Sequence, residues 1–232
     1  MQLRLRQVRG RIAEAARRVG RPDDSVALVA VSKTFGAAEI AAAAAAGQRS
    51  FGENYLQEAA AKIDALRESM PGAGLEWHFI GPIQSNKTRE IAARFDWVQS
   101  IDRLKVAERL SAQRPPGLPP LDVLIEVNVS GEASKSGLAP QDLDAVSEQV
   151  ARLARLRLRG LMAIPEPQED PDRQRPPFAR MRELFERART RLHAVAPDFD
   201  TLSMGMSGDF ESAIAEGSTM VRLGTAIFGE RR

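Results

Sequence analysis

Apolar runs of four to nine residues recur along the chain, and between them apolar positions fall three or four apart. The first pattern marks strands and the second marks amphipathic helices. The run Ala27 to Thr34 is apolar through Val31, ends in Ser32 and Lys33, and hands over after Phe35 and Gly36 to an Ala-rich helix reaching about Gly47. An unbroken apolar run of this length belongs to a strand covered on both faces, hence to a parallel sheet. The same reading predicts strands over Arg49 to Gly52, Trp77 to Ile80, Trp97 to Ile101, Leu121 to Val129, Leu158 to Ile164, Thr201 to Met204 and Met220 to Leu223. Helices are expected from near Glu53, over Lys87 to Arg94, from an N-cap at Asp102, from about Pro140, over Phe178 to Val195, and over Ser207 to Glu216. Pro165 to Pro177 reads as a polar, Pro-rich surface loop. Leu5, Val8, Ile12, Ala15 and Val19 give Met1 to Val19 the spacing of an additional amphipathic helix. Eight strands alternating with helices predict a single-domain (β/α)8 TIM barrel over residues 1–232 with an extra N-terminal helix. The count of eight disfavours the alternative, a doubly wound sheet.

Composition narrows the functional classes. A formal charge of +2 with interleaved acidic and basic residues does not describe a nucleic-acid binder, and 5% aromatic residues supply few stacking platforms. With no Cys there is neither a disulfide framework nor thiolate chemistry. No cluster of His with Asp or Glu has metal-ligand spacing, so no metal site is expected. The first helix lacks the apolar run of a signal peptide and no segment approaches a membrane span, so the expectation is a soluble, cytoplasmic protein. It is expected to be a monomer, although nothing in the sequence specifies the oligomeric state.

If the barrel is right, its chemistry lies at the carboxyl ends of the strands. That position selects Lys33, Asn54, Gly81, Asn128, Met162, Ser203, Met204 and Arg222. Lys33 stands out because the chain has five lysines against 28 arginines. An ammonium can be desolvated, lose its proton and attack a carbonyl, whereas a guanidinium stays charged. The alternative is a lysine that snorkels from a strand end to solvent. Ser203 to Gly208 and Val221 to Ala226 each join a late strand to a helix through glycines, with Ser207 read as an N-cap. Loops after strands seven and eight commonly form a phosphate site in barrels, although each could be an ordinary connection. A lysine and a phosphate cradle across one mouth suggest pyridoxal 5′-phosphate.

Several blocks together resemble the pyridoxal-phosphate homeostasis proteins, single-domain relatives of the barrel domain of alanine racemase. They are Ala30-Val31-Ser32-Lys33-Thr34, Phe51-Gly52-Glu53-Asn54-Tyr55, Trp77 to Pro82 with Gln84 to Lys87, Ser134-Lys135-Ser136-Gly137, Arg159 to Pro165, Leu202 to Ser207, and Gly217 to Arg222 through Gly229. The resemblance implies the fold type III architecture of pyridoxal-phosphate proteins, with Lys33 carrying the cofactor as a Schiff base. It also implies that Ser207 and the backbone of Gly224 and Thr225 hold the phosphate, that Arg222 faces the pyridine nitrogen, and that Asn54, Ser203 and Met204 line the pocket. A guanidinium there disfavours ring protonation and makes the cofactor a weak electron sink. Lys87 and Lys135 fall in family-like loops, Lys135 as a candidate second acceptor for the aldehyde or as a solvated side chain. His78 is expected to be a hydrogen-bonded structural residue and His193 a surface one.

The resemblance implies a carrier that stores, buffers or delivers pyridoxal phosphate inside the cell, with pyridoxal-phosphate-dependent apoenzymes as recipients. The competing reading is an amino-acid racemase on the same Schiff base. A two-base racemase needs an acid or base on each face of the substrate carbon, and in the alanine racemases a second, β-rich domain supplies one. With the sequence ending at Arg232, that domain is expected to be absent, and Tyr55 is the only Tyr. A cofactor-free Schiff-base aldolase is a third reading, which the family blocks disfavour. The expectation is therefore no catalytic residue and no substantial turnover.

Overall fold

The structure, a computed structural model, describes residues 1–132 and 136–230; Ser134 and Lys135 lie outside them. Eight parallel strands close in chain order into a barrel. They are β1 (Ala27–Val31), β2 (Ser50–Glu53), β3 (Glu76–Phe79), β4 (Trp97–Ile101), β5 (Leu121–Glu126), β6 (Leu156–Met162), β7 (Thr201–Ser203) and β8 (Met220–Leu223). The helices are α1 (Gln2–Arg18), α2 (Ala37–Ala45), α3 (Leu56–Ser69), α4 (Thr88–Arg94), α5 (Leu104–Gln113), α6 (Leu143–Ala151), α7 (Pro171–Leu192), α8 (Phe210–Ala215) and α9 (Thr225–Phe228). Closure is made by β1 on β8, where Ala27 to Ala30 pair with Met220 to Leu223.

Strand alternation sorts the side chains into two cores. Ala30, Phe51, Val98, Leu161, Leu202 and Val221 pack outward against the helices in one large cluster. Val29, Trp97, Leu124, Met162 and Met220 form a smaller, separate one inside the barrel. The apolar stripe of α1, with Leu5, Val8 and Ile12, joins the outer core, and the Arg11 guanidinium lies 4.8 Å from the Phe210 ring. No helix of the described residues is long and apolar enough to cross a membrane.

Several boundaries differ from the sequence expectation. Strand β6 runs Leu156–Met162 rather than Leu158 to Ile164, and α5 has Arg103 rather than Asp102 at its N-cap, the Asp102 carboxylate accepting from the Arg103 guanidinium instead. Helix α7 begins at Pro171, inside the stretch read as a loop: the Asp170 carboxylate accepts the Asp172 N–H at 3.0 Å, and proline at the first helical position loses no needed donor. Pro176 and Pro177 lie within α7 as well. The Gln174 side chain bonds Gln168 O, Gly208 O and the Ser212 hydroxyl, tying this end of the helix down. Helix α8 begins at Phe210 rather than Ser207: Asp209 holds the N-cap position without a side-chain capping bond, and its carboxylate instead accepts the Met206 N–H at 2.6 Å, closing the turn that precedes the helix. Strand β5 ends at Glu126, beyond which Val127 keeps only an isolated bridge to Leu138.

Between Val123 and Leu124 the β5–β6 pairing shifts, so that β6 carries one extra residue, Arg159. The next residue, Gly160, has φ 151°, and a Cβ there would meet Thr201 O at 1.8 Å. Gly160→Ala is expected to cost about 3 kcal/mol or more by urea unfolding, through backbone strain and overpacking together. A cost below about 1 kcal/mol would show that the β6–β7 contact yields.

Candidate functional site

The barrel brings the predicted residues to one mouth. Lys33 follows β1 by two residues, on the parity of Val29 and Val31, and is half-buried. Its turn is closed by the Phe35 N–H donating to Ser32 O at 3.0 Å. Across β1–β8, Gly224 comes so near that a Cβ on it would lie 3.1 Å from Val31 O. The loops after β7 and β8 meet here: the Thr225 hydroxyl donates to the Ser207 hydroxyl at 3.1 Å. Gly205, with φ 98°, lets the first loop pass α8, since a Cβ would lie 2.7 Å from that of Ala213. Ser207 caps no helix, which leaves its hydroxyl turned toward the neighbouring loop. Among the described residues, the N–H groups of Ser207, Gly208 and Gly224 find no backbone acceptor. Two hydroxyls and N–H groups without a backbone acceptor on two adjoining loops suit a phosphate.

Arg222 is buried inside the barrel, 3% exposed. Its guanidinium donates to the Ser203 hydroxyl at 2.6 Å and to Ala163 O at 3.0 Å. Burial lowers its pKa to about 10, opposed by the charges of Glu126 and Asp209. The Ser203 hydroxyl donates in turn to Gln99 Oε1 at 2.7 Å, and Gln99 Nε2 lies 3.0 Å from His78 Nδ1. His78 Nε2 reaches Glu76 Oε1 at 2.7 Å. Burial would raise the Glu76 pKa, but the hydrogen bond and charge of His78 outweigh it and bring it to about 2. A polar chain therefore threads the barrel from the amino end of β3 to Arg222, and His78 is one of its hydrogen-bonded links. His193 is exposed.

Asn54 follows β2, and its Oδ1 is buried without a hydrogen-bond partner. It lines two cavities. One, about 220 Å³, is walled by Ile80, Glu126, Asn128 and Ile164; the other, about 410 Å³, by Tyr55, Gln84, Lys87, Asp102 and Arg103. Gly81 is needed beside it, because a Cβ would lie 2.4 Å from Asn54 O. Met204 is fully buried in the outer core on the opposite side of its strand from Ser203. It therefore backs the mouth, whereas Ser203 reaches Arg222 directly.

One mouth residue was not singled out from the sequence. Glu126 ends β5 with its side chain inward, where burial raises its pKa to about 7 against the favourable charge of Arg222. The available signal was a lone carboxylate near the end of the most apolar strand. The sequence reading found no acid or base to serve the mouth, and Glu126 is a titratable group in its wall.

Residues 3–232 match the alanine racemase N-terminal domain family. A pyridoxal phosphate homeostasis protein of Pseudomonas aeruginosa is 59% identical over 97% of this chain and 93% of its own length. The protein of that name from Escherichia coli K12 is 55% identical over 98% and 95%. The chain belongs to the pyridoxal phosphate homeostasis protein family. Among solved structures, PipY of Synechococcus elongatus with pyridoxal phosphate bound superposes with a TM-score of 0.80 at 38% identity, over 94% of this chain and 100% of that one. A Bifidobacterium adolescentis protein gives 0.88 at 36% identity, over 98% and 94%. Alanine racemase of Corynebacterium glutamicum, at 18% identity and TM-score 0.64, shares the barrel fold, with this chain matching 60% of that chain.

Between the ordinary carboxyl range and pH 7 the folded chain keeps a proton on Glu126 that the unfolded chain has released, so this group makes stability fall as pH rises. Glu126→Gln removes that cost. Its stability advantage over the parent chain, measured by urea unfolding without cofactor, is expected to widen by about 2 kcal/mol from pH 5 to pH 8. An advantage independent of pH would place the ionisation elsewhere.

Proposed function

We propose that this chain binds pyridoxal 5′-phosphate at the barrel mouth and serves in its homeostasis, storing, buffering or delivering the cofactor rather than turning over substrate. The observation that carries the reading is the convergence of Lys33, the Ser207–Thr225 hydroxyl pair and Arg222 on one mouth. When bound, the cofactor supplies an electrophilic aldehyde carbon, a phosphate and a visible chromophore. Lys33 is the covalent anchor, as the one predicted mouth residue whose side chain can act as a neutral amine nucleophile. Ser207, Gly224 and Thr225 hold the phosphate through hydroxyl and N–H donors. Arg222, fixed by Ser203 and Ala163 O, presents N–H donors to the pyridine nitrogen and keeps that nitrogen unprotonated. A ring held this way withdraws electrons weakly, which favours retention over carbanion chemistry. The names of the close relatives and the cofactor in PipY support this reading. We place the protein in the cytoplasm, as a monomer, with pyridoxal-phosphate-dependent apoenzymes as recipients.

Glu126 supports a second, minor reading, a slow side reaction with amino acids, because a carboxyl titrating near neutrality can exchange a proton within the mouth. The test is the visible spectrum with borohydride reduction and peptide mapping. A yellow band that borohydride fixes on Lys33, absent in Lys33→Ala, with no turnover of L-alanine, is the expected result. A colourless protein that takes up no added pyridoxal phosphate contradicts the cofactor reading. Steady racemisation of L-alanine contradicts the carrier reading.

A further inference from the structure

The turn that carries Lys33 is held from behind by charges. Thr34 has φ 70°, the only positive φ at a non-glycine among the described residues. A β-branched residue adopts that conformation only when its surroundings impose it. The Thr34 N–H donates to Glu58 Oε1 at 2.6 Å. On the other side of Lys33, Ser32 O accepts from Lys62 Nζ at 2.9 Å, and the Ser32 hydroxyl donates to Glu53 Oε1 at 2.6 Å. Lys62 bridges the two carboxylates, 2.9 Å from Glu53 Oε1 and in contact with Glu58. Both peptide groups flanking Lys33 are thus clamped by one cluster spanning the end of β2 and the first two turns of α3.

Stability is a weak reason for this cluster to exist. The Glu53 and Lys62 side chains are 0% and 7% exposed, Glu53 Oε2 has no partner, and burying an ion pair regains little of its desolvation cost. Its donors and acceptors are spent instead on Ser32 and Thr34.

We infer that Glu58 and Lys62, with Glu53 behind them, are positioning residues that hold the Ser32–Lys33–Thr34 turn so that the Lys33 amine meets the cofactor aldehyde. This rests on the reading of Lys33 as the anchor. In the step they serve, a carbon–nitrogen bond forms between Lys33 Nζ and the aldehyde carbon, and the aldehyde oxygen leaves as water with the two amine hydrogens. Neither residue touches the phosphate cradle, so the clamp governs attachment separately from anion binding.

The Glu58 side chain is 31% exposed, so its loss leaves Lys62 paired with Glu53. In the full-length protein, Glu58→Ala is expected to slow the rise of the visible band on mixing with pyridoxal 5′-phosphate at least tenfold. Affinity for inorganic phosphate, measured by calorimetry, is expected to stay within twofold. Glu58→Gln keeps an acceptor for the Thr34 N–H and is expected to recover at least a third of the parent rate. If Glu58→Ala is unfolded by circular dichroism, Thr34→Pro, which cannot adopt a positive φ or donate to Glu58, replaces it with the same expectation. An attachment rate within twofold of the parent, or a parallel loss of phosphate affinity, overturns the clamp. A parent protein that attaches nothing to Lys33 overturns the anchor reading instead.

Discussion

A guanidinium buried in the barrel is the constraint around which the mouth is arranged. Arg222 sits on the inward face of β8, where an unpaired charge would be very costly. It is satisfied by Ser203 and Ala163 O, with the nearby carboxylates of Asp209 and, above about pH 7, Glu126 offsetting the burial of its charge. Ser203 in turn needs Gln99, Gln99 needs His78, and His78 needs Glu76, so one buried charge accounts for a line of polar residues through a barrel otherwise filled by Val29, Trp97, Leu124, Met162 and Met220. Such a line is satisfied at every link or it destabilises the core, which fixes the guanidinium in direction as well as place.

That rigidity fits a site that holds a ligand without transforming it. Cofactor enzymes that need a strong electron sink place an acid opposite the pyridine nitrogen, whereas a fixed guanidinium withholds that proton. On the proposed reading the two ends of the ligand would be served by different devices: the hydroxyls and N–H groups of the two adjoining loops would receive the phosphate, and the Ser32–Lys33–Thr34 turn, backed by buried charges, would present the amine. Neither device borrows residues from the other, so capture and covalent attachment can be separated in time.

Much of the architecture was legible in the sequence because parallel strands buried on both faces leave uninterrupted apolar runs, and their count alone argued for closure. The errors have local causes. Prolines hid the start of α7, where Asp170 and Pro171 make a helix N-terminus that looks like a loop. Ser207 has the chemistry of a cap, but it lies in a turn that the Asp209 carboxylate closes on the Met206 N–H, and the helix starts only at Phe210. The apolar residues Val127 and Val129 extended β5 on paper past Glu126, where the pairing in fact ends. What the sequence could place was position: Lys33 and the glycine-containing loops follow strand ends, and the barrel brings them to one mouth. The site was not readable where it depends on strand parity and three-dimensional neighbours. Glu126, Gln99 and the Glu53–Lys62 contact are single polar residues in apolar or helical contexts, and only closure of the barrel and packing of α3 give them partners.

The most direct test is a crystal structure of the protein grown with pyridoxal 5′-phosphate. The account predicts density continuous from Lys33 Nζ to the cofactor, the phosphate between Ser207 and Thr225, and the pyridine nitrogen against Arg222 with its Ser203 contact intact. Cofactor bound away from this mouth, or bound within it with Lys33 unattached and Arg222 turned from the ring, would contradict it.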